Sequence, residues 1–171
     1  MSEDPVIDVR EFARFDGRLG GTVAAASLAR LSELLTDDSG NVTYGVSGRL
    51  DGDGNPRLQI EVSSRFTVRC QRCLGPVLQV VASRRELRFV ADASLLPEVA
   101  DEAPDVDDLP IPAAMRVLDW VEDEILLALP ISPRHEECGC RPPPNPAAEP
   151  DAVVKPFARL SELRFPHTKD Q

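Results

Sequence analysis

No run of about 18 apolar residues occurs in the sequence, so no transmembrane helix is expected. The longest apolar stretch, residues 125–131, is broken by Pro130. The first residues, MSEDPVIDVREF, have neither a basic region nor an apolar stretch after it. A signal peptide is therefore not expected, and a soluble cytoplasmic protein is. Lysine is nearly missing, with two against seventeen arginines, and basic residues are outnumbered 19 to 29 by acidic ones. A net charge of −10 excludes generic nucleic-acid binding, which needs clustered positive charge, and leaves RNA only through a local basic patch. There is no glycine-rich phosphate loop and no serine elbow with a histidine and an acid behind it. Four cysteines in a cytoplasmic chain point to metal ligands or redox groups ahead of structural disulfides.

What is present is 42% apolar residues in 171, enough for one domain with a core and a tail. The charge is unevenly placed. Residues 92–124 hold eleven acids and one base, Arg116, while residues 65–88 hold six arginines and one acid, Glu86. The two stretches either cover each other or form an arginine patch for phosphates and an acidic surface for a basic partner. The RNA candidates are Arg65, Arg69, Arg72, Arg84, Arg85 and Arg88. The partner-binding candidates are Asp119, Glu122, Asp123, Glu124 and Trp120.

Residues 1–21 read as an arm with one short strand over 6–12, ending at Gly20-Gly21. Residues 27–35 read as a helix with Leu28, Leu31 and Leu35 on one face and Ser27 as its cap. Residues 42–50 are a strand, and Asp51-Gly52-Asp53-Gly54-Asn55 is a turn. Its acids open like a calcium loop, but Pro56 and Val62 stand where glycine and glutamate are required. Residues 57–70 alternate almost without interruption, a long half-buried antiparallel strand. Residues 77–90 return beside it. Their apolar parity shifts from Leu78, Val80 and Ala82 to Leu87 and Phe89, which predicts a bulge over 83–86. Residues 93–112 read as a loop and 113–129 as the clearest helix. Nine prolines from Pro130 onward predict an irregular tail, with a short helix over 155–164. The fold class is α+β, an antiparallel sheet of four or five strands with packed helices. The division is a domain over 1–141 and a tail over 142–171.

The cysteines fall as Cys70-Gln71-Arg72-Cys73 and Cys138-Gly139-Cys140, with His135 three residues before Cys138. A C-x-x-C at a strand end followed by Leu74-Gly75-Pro76 has the shape of a zinc knuckle. The tight turn aims both thiolates at one ion, and Gly75 eases the backbone. Tetrahedral zinc needs two more ligands, for which Cys138 and either Cys140 or His135 are the candidates. One structural zinc is the expected cofactor, beside the alternative of free thiols. A redox pair would sit at a helix N-terminus; here a turn, Pro76 and a strand follow, which disfavours a thiol oxidoreductase.

Three blocks together resemble a known family. They are Val68-Arg69-Cys70-Gln71-Arg72-Cys73-Leu74-Gly75-Pro76-Val77, the acidic-then-apolar run of residues 121–135 leading to Cys138, and the ending over 155–163. In order and spacing they are similar to the YceD family, the large ribosomal RNA subunit accumulation proteins. The resemblance covers residues 42–163, and Cys140 departs from it. It implies a non-enzymatic factor for synthesis, processing or stability of 23S rRNA, with the rRNA or its precursor as direct or indirect partner. The alternative is an acidic chaperone-like binder of a basic large-subunit ribosomal protein.

Overall fold

The strand that organises the molecule is the one whose alternation is most regular. In this computed structural model, which describes residues 4–91 and 106–136, residues 56–69 form β4 (Pro56–Arg69). Leu58, Ile60, Val62, Phe66 and Val68 are buried on one side of it. Full burial of a side chain of Phe66's size contributes roughly 1.5–3 kcal/mol. The opposite side carries Glu61, Ser63, Arg65 and Arg69, all exposed. β3 (Asn41–Leu50) and β5 (Pro76–Val90) flank β4 in antiparallel register, and β2 (Arg18–Ala24) lies outside β3. The β3–β4 turn is closed by Asp51, whose Oδ1 accepts from the Asp53 and Asn55 amides at 3.0 and 2.8 Å. That is the hairpin reading of these residues.

The buried face is covered by α1 (Val9–Arg14), which packs on β3 and β4, and by α3 (Val117–Ala128), which packs on β4 and β5. Gly48 permits the first contact. A Cβ there would stand 2.7 Å from the Phe12 ring and 3.1 Å from Ala13 Cα. A short α2 (Ala29–Ser32) adjoins α3. No helix among the described residues is long and apolar enough to cross a membrane.

The α+β class and the five-stranded sheet agree with the sequence reading; several details do not. Residues 106–110, expected in a loop, form β6 (Val106–Pro110), which joins β5 in parallel and makes the sheet mixed. Arg85 and Arg88 of β5 hold it through Asp107 and Asp108. The expected bulge in β5 is absent: pairing runs unbroken from Arg57↔Arg88 to Arg69↔Pro76. Leu78 and Val80 are simply apolar residues on the exposed face, 47% and 71% accessible.

The N-terminal arm is also more ordered than expected. β1 (Val6–Ile7) pairs with β7 (Met115–Arg116), and Asp8 then caps α1 by accepting from Glu11 N at 2.9 Å. Gly20 and Gly21 lie inside β2 and do not end it. Pairing of β7 delays the start of α3 from 113 to 117. The helix expected over 27–35 shrinks to a 3₁₀ turn (Ala25–Ser27) and α2, because Ser27 Oγ turns back to Ala24 O at 2.7 Å and caps nothing. The rest of the acidic loop over 93–105, the proline-rich tail with its helix over 155–164, and both Cys138 and Cys140 lie outside the described residues.

Candidate metal centre and nucleic-acid interface

Between the ends of β4 and β5 the chain reverses in six residues. Cys70 N donates to Gly75 O at 2.8 Å, and Leu74 N to Cys70 O at 3.0 Å. The residue that takes the left-handed conformation is Leu74, at φ 64°, and not Gly75. A non-glycine residue there costs about 1 kcal/mol, so the surrounding contacts must hold it. One such contact comes from a segment distant in sequence. After α3 the chain bends at Pro130, and Pro133 O accepts from Gln71 N at 2.8 Å.

That strap delivers His135. Its Nε2 lies 2.9 Å from Pro76 O. A carbonyl only accepts, so Nε2 carries the proton and Nδ1 presents a lone pair. Nδ1 lies 3.7 Å from Cys73 Sγ. Cys70 Sγ, Cys73 Sγ and His135 Nδ1 all lie within 4.8 Å of one another. Cys70 is fully buried and Cys73 partly so. The Cys70 thiol is drawn down to about 6, first by the Cys73 amide and then, against the opposing effect of burial, by the amides of Arg72 and His135. Backbone N–H groups that favour a thiolate also favour a thiolate ligand. Of the residues expected at this centre, the structure therefore brings together Cys70, Cys73 and His135.

The six candidate arginines divide into two groups. Arg65 and Arg69 stand on the exposed side of β4, and Arg72 sits on the knuckle itself; all three are exposed and make no ion pair among the described residues. The others are engaged. Arg84 lies 3.4 Å from Glu61 and donates to Gln59 at 2.6 Å. Arg85 is 3.3 Å from Asp107 and 3.5 Å from Glu124. Arg88 binds both carboxylate oxygens of Asp108, with one bond at 2.7 Å. Two arginines that the sequence did not single out, Arg49 and Arg57, share Glu86 at 2.8 Å each. Arg57, with Arg49, holds the Glu86 carboxyl below its usual range. The basic and acidic stretches thus cover each other at this end of the sheet.

The acidic helix is a correction. Glu122 and Glu124, expected to face a partner, are 4% and 5% accessible. Glu122 accepts from the amides of Arg30 and Leu31 at 2.7 and 2.9 Å and from Arg30 Nε at 3.0 Å. It supplies the α2 cap that Ser27 does not. Glu124 accepts from Ser83 Oγ and faces Arg85. Asp123 pairs with Arg30, and Asp119 with Arg116 at 3.6 Å. Trp120 packs on Phe89, ring centroids 5.9 Å apart. Helical periodicity cannot show donors that arrive from about 40 or 90 residues away in sequence, so these carboxylates read as a solvated face.

No solved structure matches this fold. A family model described as "Large ribosomal RNA subunit accumulation protein YceD" matches residues 58–164, which is 107 of the 171 residues and takes in β4 from Leu58 onward, the knuckle, β5, α3 and the strap. By that match the chain belongs to the YceD family, and with it to proteins of ribosome biogenesis.

Proposed function

We propose that the protein is a non-enzymatic, cytoplasmic factor for the 23S rRNA of the large subunit, acting in its synthesis, processing or stability by binding the RNA or its precursor directly. The observation that carries this reading is the arginine trio at the knuckle. Arg65, Arg69 and Arg72 are exposed and have no acidic partner among the described residues, in a chain whose other hairpin arginines are neutralised. A guanidinium without a carboxylate partner is free to take a phosphate in the same bidentate geometry.

The exposed face of the sheet refines the expected mode. From β2 to β5 it presents residues such as Thr22, Thr43, Ser63 and Ala82 in one cross-strand row and Ala24, Asn41, Arg65 and Val80 in the next, with no aromatic ring in either. Without a stacking platform, recognition rests on the phosphate backbone and on shape, so binding should tolerate sequence changes and fall steeply with salt. The alternative of an acidic chaperone for a basic ribosomal protein loses support from the burial of Glu122 and Glu124.

The test is crosslinking of the full chain to 23S precursor in cells, with Arg65, Arg69 and Arg72 together changed to glutamate. Loss of crosslinks in a folded variant is expected. Crosslinks at the wild-type level would overturn direct RNA contact through this surface.

A further inference from the structure

We propose that Cys70 Sγ, Cys73 Sγ and His135 Nδ1 are three ligands of one structural zinc ion, which ties the strap after α3 to the β4–β5 turn. The inference stands on geometry that the RNA reading does not use. In a tetrahedral site with Zn–S about 2.3 Å and Zn–N about 2.0–2.1 Å, a sulfur and a nitrogen ligand lie about 3.6 Å apart. Cys73 Sγ and His135 Nδ1 are 3.7 Å apart, and all three donor atoms fall within 4.8 Å. The arrangement closes with small side-chain shifts.

Three further features belong to a ligand set and have little purpose in a pair of free thiols. The histidine is locked in the tautomer that leaves Nδ1 open, by its Nε2 bond to Pro76 O. A second bond of this kind is what orients histidine ligands generally. Arg72 N points at Cys70 Sγ at 3.5 Å, a backbone donor to a sulfur. And the turn holds Leu74 in a left-handed conformation to keep Cys70 and Cys73 on one side. Two sulfurs and an imidazole nitrogen within 4.8 Å of one another select zinc over calcium or magnesium, which take oxygen.

Binding is a substitution without oxidation: each thiol gives up its proton to solvent and its sulfur enters the coordination sphere. Zinc takes a fourth ligand. In sequence Cys138 and Cys140 follow His135 by three and five residues, and variants decide between them and water.

The full-length protein, untagged and purified without chelator, should carry about one zinc per chain by elemental analysis. Cobalt(II) exchanged for zinc should give thiolate-to-metal charge transfer and the visible bands of a tetrahedral ion. His135→Ala should weaken metal binding roughly a hundredfold or more in competition with a chromophoric chelator. His135→Cys should restore it, which a merely structural role for the imidazole would not predict. Cys138→Ser and Cys140→Ser, made singly, show which one lowers affinity; no change in either makes the fourth ligand water. Trypsin gives a readout independent of affinity. The bonds after Arg72 and Arg134 should resist cleavage in the zinc form and become labile when the metal is withdrawn. A folded protein that takes up neither zinc nor cobalt overturns the proposal, and a reversible Cys70–Cys73 disulfide in that protein would assign the thiols to redox chemistry. None of these measurements involves RNA, so failure here leaves the arginine surface untouched, and the reverse.

Discussion

At one end of the β4–β5 hairpin, Arg57, Arg85 and Arg88 each meet a carboxylate at 3.5 Å or less, and Glu86, Glu124, Asp107 and Asp108 are consumed in the process. At the turn end, Arg65, Arg69 and Arg72 meet none among the described residues. The same residue type serves two purposes on one pair of strands. Where it is matched it fastens a parallel edge strand and a buried helix to the sheet. Where it is unmatched it leaves positive charge displayed on an acidic protein. Net charge, −10 over the chain, says little about either end. What matters is which charges the fold has already neutralised.

The largest effect should come from the unmatched end. Changing Arg65, Arg69 and Arg72 to glutamate should weaken binding to a 23S precursor fragment at least a hundredfold, about 2.7 kcal/mol, in filter binding at fixed salt. Changing the same three to glutamine should lower the slope of log affinity against log salt by about 2–3, given roughly 0.7–0.9 per lost contact. Thermal stability should hardly move in either variant. A large loss of stability would mean that these arginines have partners after all, and the contrast between the two ends would collapse.

Next in size is a break at the matched end. Asp108→Ala leaves Arg88 half-buried without its bidentate partner and should cost about 2 kcal/mol in denaturant unfolding, below the range for a fully buried pair. RNA affinity measured well below the new midpoint should match wild type. Glu122→Ala belongs with it. The amides of Arg30 and Leu31 lose their acceptor, which should cost roughly 2–3 kcal/mol.

These two positions also show where the sequence was legible. The alternation of β4 is visible because only one face of that strand is buried, and the knuckle is visible because Cys70 and Cys73 are close in sequence. The bulge in β5 was a false signal. Leu78 and Val80 are exposed, so apolar parity stopped reporting burial. The strand nature of residues 106–110 was hidden because Asp107 and Asp108 read as loop until Arg85 and Arg88 are placed beside them. Glu122 and Glu124 were hidden for the same reason: long-range neutralisation leaves no periodic trace. At the candidate centre His135 was legible only as one of two alternatives, since the strap that brings it to Cys73 is a tertiary contact.

Acid should separate the two ends more gently. Arg57 and Arg49 hold the folded Glu86 carboxyl below its ordinary value of 4.5, and Asp51 is held low, against the opposing effect of burial, by the Asn55 and Asp53 amides and then by Arg57. Both contribute stability that is complete above the unfolded values and is lost as pH falls through the lower folded ones. Unfolding midpoints should therefore be flat from pH 7 to about 5 and decline below that. Arg57→Gln should flatten part of the decline, while Arg69→Gln should leave its shape unchanged.

The smallest effect tests the boundary between the two ends. Arg84 lies on the exposed face midway along β5, touching Glu61 and Gln59, with the Arg84 and Glu61 side chains 69% and 53% accessible. An exposed pair of this kind contributes little, so Arg84→Ala should change stability by less than about 0.5 kcal/mol. Its guanidinium is nevertheless claimed by Glu61, so the loss of RNA affinity should stay within about twofold, well short of one full phosphate contact. Glu61→Gln releases the same guanidinium without moving it. If neutralisation alone separates the two ends, that variant should bind the precursor fragment more tightly than wild type and gain salt dependence. An Arg84→Ala variant that loses as much affinity as Arg65→Ala would instead extend the RNA surface along the whole sheet and make the ion pair to Glu61 incidental to it.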